Sequence, residues 1–198
     1  MLISEELLLT HGATYENYKS KEVIFQEGSQ PKFYFQIVTG TVELNNYHED
    51  GKEFTQYILS NGQSFGESLL FSKQPYPMNA TAKTECVILR LSITDFFALI
   101  EQNSSVVKEL FRLMSDRLYY KYIMLYGLSS LDPQIKIKRI LDYFKSMQTS
   151  NFYERVEIPY TRQQIANLTG LRVETVIRNL KKMEIENIVK INGRKLLY

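Results

Sequence analysis

The sequence predicts an α+β protein: an all-β sandwich or barrel first, a long helix next, then two short helices and a hairpin. Three observations carry this. Between residues 20 and 92, short runs rich in Val, Ile, Phe, Tyr and Thr recur between turn signals, at the spacing of roughly 8–12 residues that marks all-β domains. After "SITDFF" the apolar residues recur every three or four positions instead of every two, which is helical spacing. From Thr161 onward a capping signal, a glycine and an Asn-Gly pair occur in the order helix, turn, helix, hairpin.

The predicted strands are "EVIFQEG", "FYFQIVTG", "TVELNNY", "FTQYILS" and "CVILRL". Gly28, Gly40, Gly51 and Gly62 fall between them, and Asp50-Gly51 is a hairpin signal. In "SSVVKELFRLMSDRLYYKYIMLYGL", Val107, Phe111, Met114, Leu118, Tyr122 and Leu125 make one helix face, and Val106, Leu110 and Leu113 a second. A helix apolar on two sides needs two partners. One is the β domain; the other is either the same helix of a second copy or a further element of one chain. In "LSSLDPQIKIKRILDYF", Asp132 suits an N-cap and Pro133 the first helical position. This places a hinge at 127–132 and divides the chain into 1–103, 104–128 and 129–198. "RVEIP" reads as a short strand.

Thr161 with Gln164 forms a capping-box pattern, Gly170 a tight turn, and Val176, Leu180 and Met183 the buried face of a second helix. "NIVKINGRKLLY" then reads as a two-stranded wing. The charge is distributed to match. Residues 1–132 carry net −5 and residues 133–198 net +7, for +2 overall, so the C-terminal third is the part suited to a polyanion. A helix-turn-helix with a wing in a basic region points to double-stranded DNA, with the second helix in the major groove. Glu174 and Arg178 are four apart, on one face of that helix. Glutamate accepts from cytosine N4, and arginine pairs bidentately with guanine O6 and N7. The competing possibility is an i,i+4 ion pair worth about 0.2–0.5 kcal/mol. Lys181, Lys182, Arg194 and Lys195 suit phosphates.

Composition excludes several classes. Hydrophobic residues at 44% and charged residues at 23% are those of a globular protein. Cys86 is the sole cysteine, too few for a disulfide framework or an iron–sulfur cluster, and it suits a reducing cytoplasm. The N-terminus lacks the basic start of a secretory signal, and no apolar run approaches membrane-spanning length. His11 and His48 lie 37 positions apart, so no metal site and no haem or metal sensor is expected. With no nucleophile constellation or Walker loop either, the chain is not expected to be an enzyme.

"FGE" followed by "LLF", the glycine-punctuated strands, the long helix and "TRQQIANLTGLRVETVIRNLKKM" together resemble the CRP/FNR family of bacterial transcription regulators, from about residue 15 to the end. The resemblance implies an N-terminal double-stranded β-roll (jelly-roll-like), a long dimerisation helix and a C-terminal winged helix-turn-helix. It further implies a homodimer on a palindromic site, acting with RNA polymerase. The DNA-contacting candidates are Thr161, Arg162, Arg172, Val173, Glu174, Thr175, Arg178, Lys181, Lys182 and Arg194. The family's base-reading glutamate and arginine match Glu174 and Arg178, which implies a TGA-like core in each half-site. Members reading GTGA carry arginine where Val173 stands. The oxygen-sensing branch has Val-Glu here, but serine where Ile177 stands. Arg172 occupies the usual Ser/Thr N-cap, so a cap is lost at a cost of about 1 kcal/mol.

In cyclic-nucleotide-binding members a Gly-Glu pair opens the pocket segment and the glutamate holds the ribose. An Arg-Ser/Thr-Ala segment then clamps the phosphate. Gly66 and Glu67 match the first part. Met78, Asn79 and Ala80 stand where the second is expected, after one extra loop residue. Methionine cannot pair a phosphate, and losing that charge-assisted contact costs about 1.5–3 kcal/mol. Lys73, the segment's only cation, reads as a solvated loop residue. The effector pocket is therefore degenerate and cyclic nucleotide is disfavoured, leaving an unknown effector or none. Tyr76, Pro77 and Met78 either admit an apolar effector or fill the pocket. The alternative function is a cyclic-nucleotide-responsive module acting through a protein partner, which the basic winged region argues against.

Overall fold

The structure is a computed structural model that describes residues 2–149, 151 and 153–198. The chain divides into two compact units, Met1–Ser115 and Asp116–Tyr198, with the division inside the long helix.

The first unit holds two four-stranded antiparallel sheets. One is ordered β1 (Thr14–Tyr18), β8 (Cys86–Ser92), β3 (Phe33–Thr39), β6 (Ser64–Phe65). The other is ordered β2 (Val23–Phe25), β7 (Asn79–Ala82), β4 (Val42–Tyr47), β5 (Glu53–Leu59). The run "CVILRL" is nearly continuous in apolar residues because β8 is buried on both faces. Cys86 and Ile88 join Phe35, Ile37, Phe65, Val42, Leu59, Ala80 and Ala82 in a core between the sheets. Leu89 and Leu91 join Tyr34 in a second core beneath helices. Those helices are α1 (Glu5–Thr10), α3 (Ile93–Gln102) and the start of α4 (Ser104–Ser129), which contribute Leu8, Phe96, Leu99, Val106 and Leu110. This arrangement is a β-roll.

All five predicted strands are present. β1, β6 and β7 were not predicted, nor were α1 and the short helix α2 (Glu67–Ser72). "TYENY" and "NATA" lack the apolar alternation that marks a strand, and β6 has two residues; only pairing to β8, β4 and β3 makes them strands. The N-terminal residues are tied to the roll by the buried amide of Gln36, which accepts from Ile3 N at 3.2 Å and donates to Ile3 O at 2.8 Å. Gly40 has φ +108, and a Cβ there would lie 2.5 Å from both Cys86 Sγ and Glu85 O, so the turn into β4 admits no side chain.

In the second unit, Asp132 caps α5 (Pro133–Gln148), accepting from Gln134 N at 2.8 Å. Helix α4 continues through Gly127 to Ser129, so the break between helices is narrower than the predicted hinge at 127–132. Tyr120 packs on Tyr143 with ring centroids 4.7 Å apart, and the Arg139 guanidinium lies 5.1 Å from the Tyr126 ring centroid. This packing holds α4 helical up to Ser129. α6 (Arg162–Thr169), α7 (Val173–Ile185) and the hairpin of β9 (Lys190–Asn192) and β10 (Lys195–Leu197) follow. Ile137, Leu141, Ile165, Val176, Leu180 and Leu196 are the centre of their core. "RVEIP" is not a full strand. It runs antiparallel to β10 through a single bridge, Glu157 to Leu197, flanked by Val156 N→Tyr198 O at 2.9 Å and Ile158 N→Leu196 O at 2.8 Å. Pro159 offers no N–H to extend the pairing.

Candidate nucleic-acid interface and effector pocket

Helix α6 opens with the capping box that the sequence predicts. Thr161 Oγ1 accepts from Gln164 N at 3.2 Å, and Thr161 N donates to Gln164 Oε1 at 3.0 Å. Gly170 ends the helix at φ +66, a conformation glycine adopts without steric cost. Arg172 then occupies the N-cap of α7 with no side-chain capping bond, as its side chain dictates. Val176, Leu180 and Met183 turn inward. Glu174, Ile177, Arg178 and Lys181 remain exposed on the opposite side. Among the described residues Glu174 and Arg178 form no ion pair with each other, so the i,i+4 pairing that competes with base contact is not made.

The wing is joined to this face. Arg162 Nη1 donates to the carbonyl of Arg194 at the hairpin tip, and Arg162, Ile177, Lys181, Ile191 and Arg194 line one crevice. Arg162, one of the DNA-contact candidates, is half-buried and ties the wing to α6 through this bond. Lys195 is paired with Glu157 at 2.8 Å and Lys182 lies 3.9 Å from Glu186; both remain exposed, as do Lys181 and Arg194. Val173 and Thr175 are half-buried at the start of α7, and Arg172 is exposed beside them.

Along α4, Val106 and Leu110 are buried under the roll's helices, which accounts for one of the two predicted apolar faces. The other is uncovered: Phe111 is 68% exposed, Leu118 51%, Tyr122 61% and Leu125 71%. Val107 and Met114 are half-buried.

In the roll, Gly66 sits at φ +82 as the N-cap of α2, and Glu67 follows, fully buried. A Cβ on Gly66 would lie 3.3 Å from Tyr76 Oη and 3.4 Å from Phe35 Cδ2. The Tyr76 ring is buried and stacked on Phe25, with centroids 3.7 Å apart. Phe35 and Phe65 stack beside them at 5.1 Å. Burial first, and the Glu67 carboxylate second, push the Tyr76 phenol well above its usual pKa. Tyr76 thus belongs to the inter-sheet core, with its hydroxyl beside Gly66. Asn79 is used structurally, accepting from Glu27 N at 3.0 Å and donating to Asn45 O at 3.2 Å. Met78 is half-buried and Ala80 lies in the inter-sheet core. Among the described residues no group of three or more His, Cys, Asp and Glu is arranged to hold a metal ion.

Two family descriptions divide this architecture between them. Residues 15–103 match the cyclic nucleotide-binding domain, and residues 138–198 match the Crp-like helix-turn-helix domain. The chain belongs to the CRP/FNR family. The cAMP-activated global transcriptional regulator CRP of Salmonella typhimurium is 29% identical over 194 residues, covering 97% of this chain and 92% of the relative. The cAMP-activated regulator Vfr of Pseudomonas aeruginosa is 29% identical over 185 residues, covering 91% and 86%. A CooA mutant from Carboxydothermus hydrogenoformans shares the fold of this CRP/FNR chain at TM-score 0.80 and 20% identity, covering 98% of this chain and 85% of that one. The c-di-GMP responsive regulator CLP of Xanthomonas campestris does so at 0.75 and 22%, covering 97% and 96%. This CRP/FNR member is a CRP-like transcriptional regulator with a helix-turn-helix, in a family of regulators rather than enzymes. No helix among its described residues is long and apolar enough to cross a membrane.

Proposed function

We propose that the protein is a homodimeric regulator that binds a palindromic DNA site with a TGA-like core in each half, read by Glu174 and Arg178. The observation that carries this is the pair itself: both side chains are exposed on α7, and neither is spent on the other. Lys181, Arg172 and Arg194 supply phosphate contacts around them. These fix register and carry no sequence information. The second copy docks along the uncovered face of α4, where Phe111, Leu118, Tyr122 and Leu125 form a heptad-like apolar seam. RNA polymerase is the partner through which such a dimer acts.

The effector is not a cyclic nucleotide. Met78 supplies no phosphate contact, and Tyr76 occupies the space beside Gly66. Selection from a randomised duplex library tests the whole proposal. The expected product is an inverted repeat containing TGA, with half-sites about one helical turn apart. Recovery of no inverted repeat at low salt would overturn it. The second possibility, a nucleotide-responsive module acting on a protein partner, predicts tight cyclic AMP binding by calorimetry without DNA affinity.

A further inference from the structure

The core between the two sheets does not close at its far end. Past Phe25 and Tyr76 it opens into a cleft of about 510 Å³, within the range of about 300–1,000 Å³ typical of small-molecule sites. Five aromatic residues line it, Tyr18, Phe25, Phe33, Phe35 and Tyr76, with polar Gln26, Ser29 and Gln30 between them. Gly66, Glu67 and Met78 are not among its lining residues. Tyr76 connects the two places: it is among the residues lining the cleft, and its hydroxyl lies beside Gly66.

The cation at this cleft is where strand alternation would put an apolar residue. Cys86 and Ile88 face the inter-sheet core, and the next residue on that face of β8 is Arg90. Arg90 pairs in register with Phe35. Its guanidinium is held in two ways: 4.4 Å from the Phe33 ring centroid, and by Nη2 to Glu16 Oε1 at 3.0 Å. An arginine fork has five N–H donors, and Glu16 engages one nitrogen of it. A planar cation already seated on an aromatic face is preorganised for a carboxylate.

Lys32 is the second cation in the lining. The walls are braced by backbone bonds rather than by mobile side chains. Tyr76 N donates to Ser29 O at 2.9 Å, Gly28 N to Tyr76 O at 2.8 Å, and Ile93 N to Lys32 O at 2.9 Å.

We propose that this cleft binds a small aromatic carboxylate, its ring against the Phe33, Phe25 and Tyr76 wall and its carboxylate on Arg90 with Lys32 alongside. The site lies within the first unit and does not depend on how the second unit reads DNA, so either proposal can fail without the other.

The test is calorimetric titration of the full chain, without DNA, using naphthalene-2-carboxylate. Naphthalene-2-carboxamide removes the charge, and cyclohexanecarboxylate removes the aromatic ring. The expected result is saturable binding of the acid, with both comparators about tenfold weaker or more. Arg90→Gln should bind acid and amide alike, and Phe33→Leu should weaken the acid. Lys32→Gln, on the exposed rim, gives a second reading should Arg90→Gln lose its fold, and should lower affinity for the acid more than for the amide. Equal binding of acid and amide by the native chain would overturn the proposal. So would undiminished acid binding by a folded Arg90→Gln, unchanged acid-to-amide preference in Lys32→Gln, or no saturable binding of the acid.

Discussion

The Tyr76 ring lies parallel to the Phe25 ring, 3.7 Å between centroids and 8° between planes. The stack lies in the core between the two sheets, with the Tyr76 hydroxyl beside Gly66. Because burial and Glu67 raise the Tyr76 pKa in the folded state, the native protein holds that proton more tightly than the unfolded chain does. The stability this contributes is fully present below the unfolded value of 10.0 and is lost as pH rises past it. The urea midpoint should therefore fall more steeply above pH 10 for the native chain than for Tyr76→Phe. Parallel curves would refute the assignment. Tyr76→Ala should cost about 3–5 kcal/mol through the cavity it leaves.

Restoring the phosphate-pairing residue should not restore the ligand. Met78→Arg supplies the charge but leaves the Tyr76 hydroxyl against Gly66, so calorimetry with cyclic AMP should show no gain. Micromolar binding by Met78→Arg would mean that the inherited pocket is open after all.

Leu118→Lys places a charge in the middle of the uncovered α4 face. Since Leu118 is half exposed in the single chain, the substitution should leave the thermal midpoint of a monomer nearly unchanged. Sedimentation should shift from dimer to monomer, and DNA affinity should fall with it. A dimer surviving both Leu118→Lys and Leu125→Lys would move the interface elsewhere.

Glu174→Ala and Arg178→Ala should each lose about 1–3 kcal/mol on the selected site and relax base preference at one position. Lys181→Ala should weaken binding to all sequences alike and flatten the salt dependence. A uniform loss from Arg178→Ala would make it a phosphate contact.

Arg172→Ser should return the missing N-cap of α7 and raise stability by about 1 kcal/mol. DNA affinity should fall at the same time, because a cation at the start of α7 is lost. Unchanged affinity would leave Arg172 without a role at the interface.

The sequence by itself determined the local devices. The capping box at Thr161, the glycine turn at Gly170, the caps at Asp132 and Pro133 and the hairpin glycines each depend on residues within a few positions of one another, so a short window contains their physics. It also determined the two faces of α4 and the buried side of α7, because helical spacing sorts side chains without reference to a partner. Only the tertiary structure decided the strands β1 and β7, whose residues are too polar or too small to announce a strand and are ordered by β8 and β4. It decided that Arg162 holds the wing, through a bond spanning 32 positions, and that Tyr76 joins the inter-sheet core by stacking on Phe25, 51 positions earlier in the chain. It decided, too, that Arg90 faces the aromatic cleft. "CVILRL" is apolar on both sides of its strand, so its pattern does not say which core each residue enters. That is settled by the sheet lying opposite and the helices lying behind.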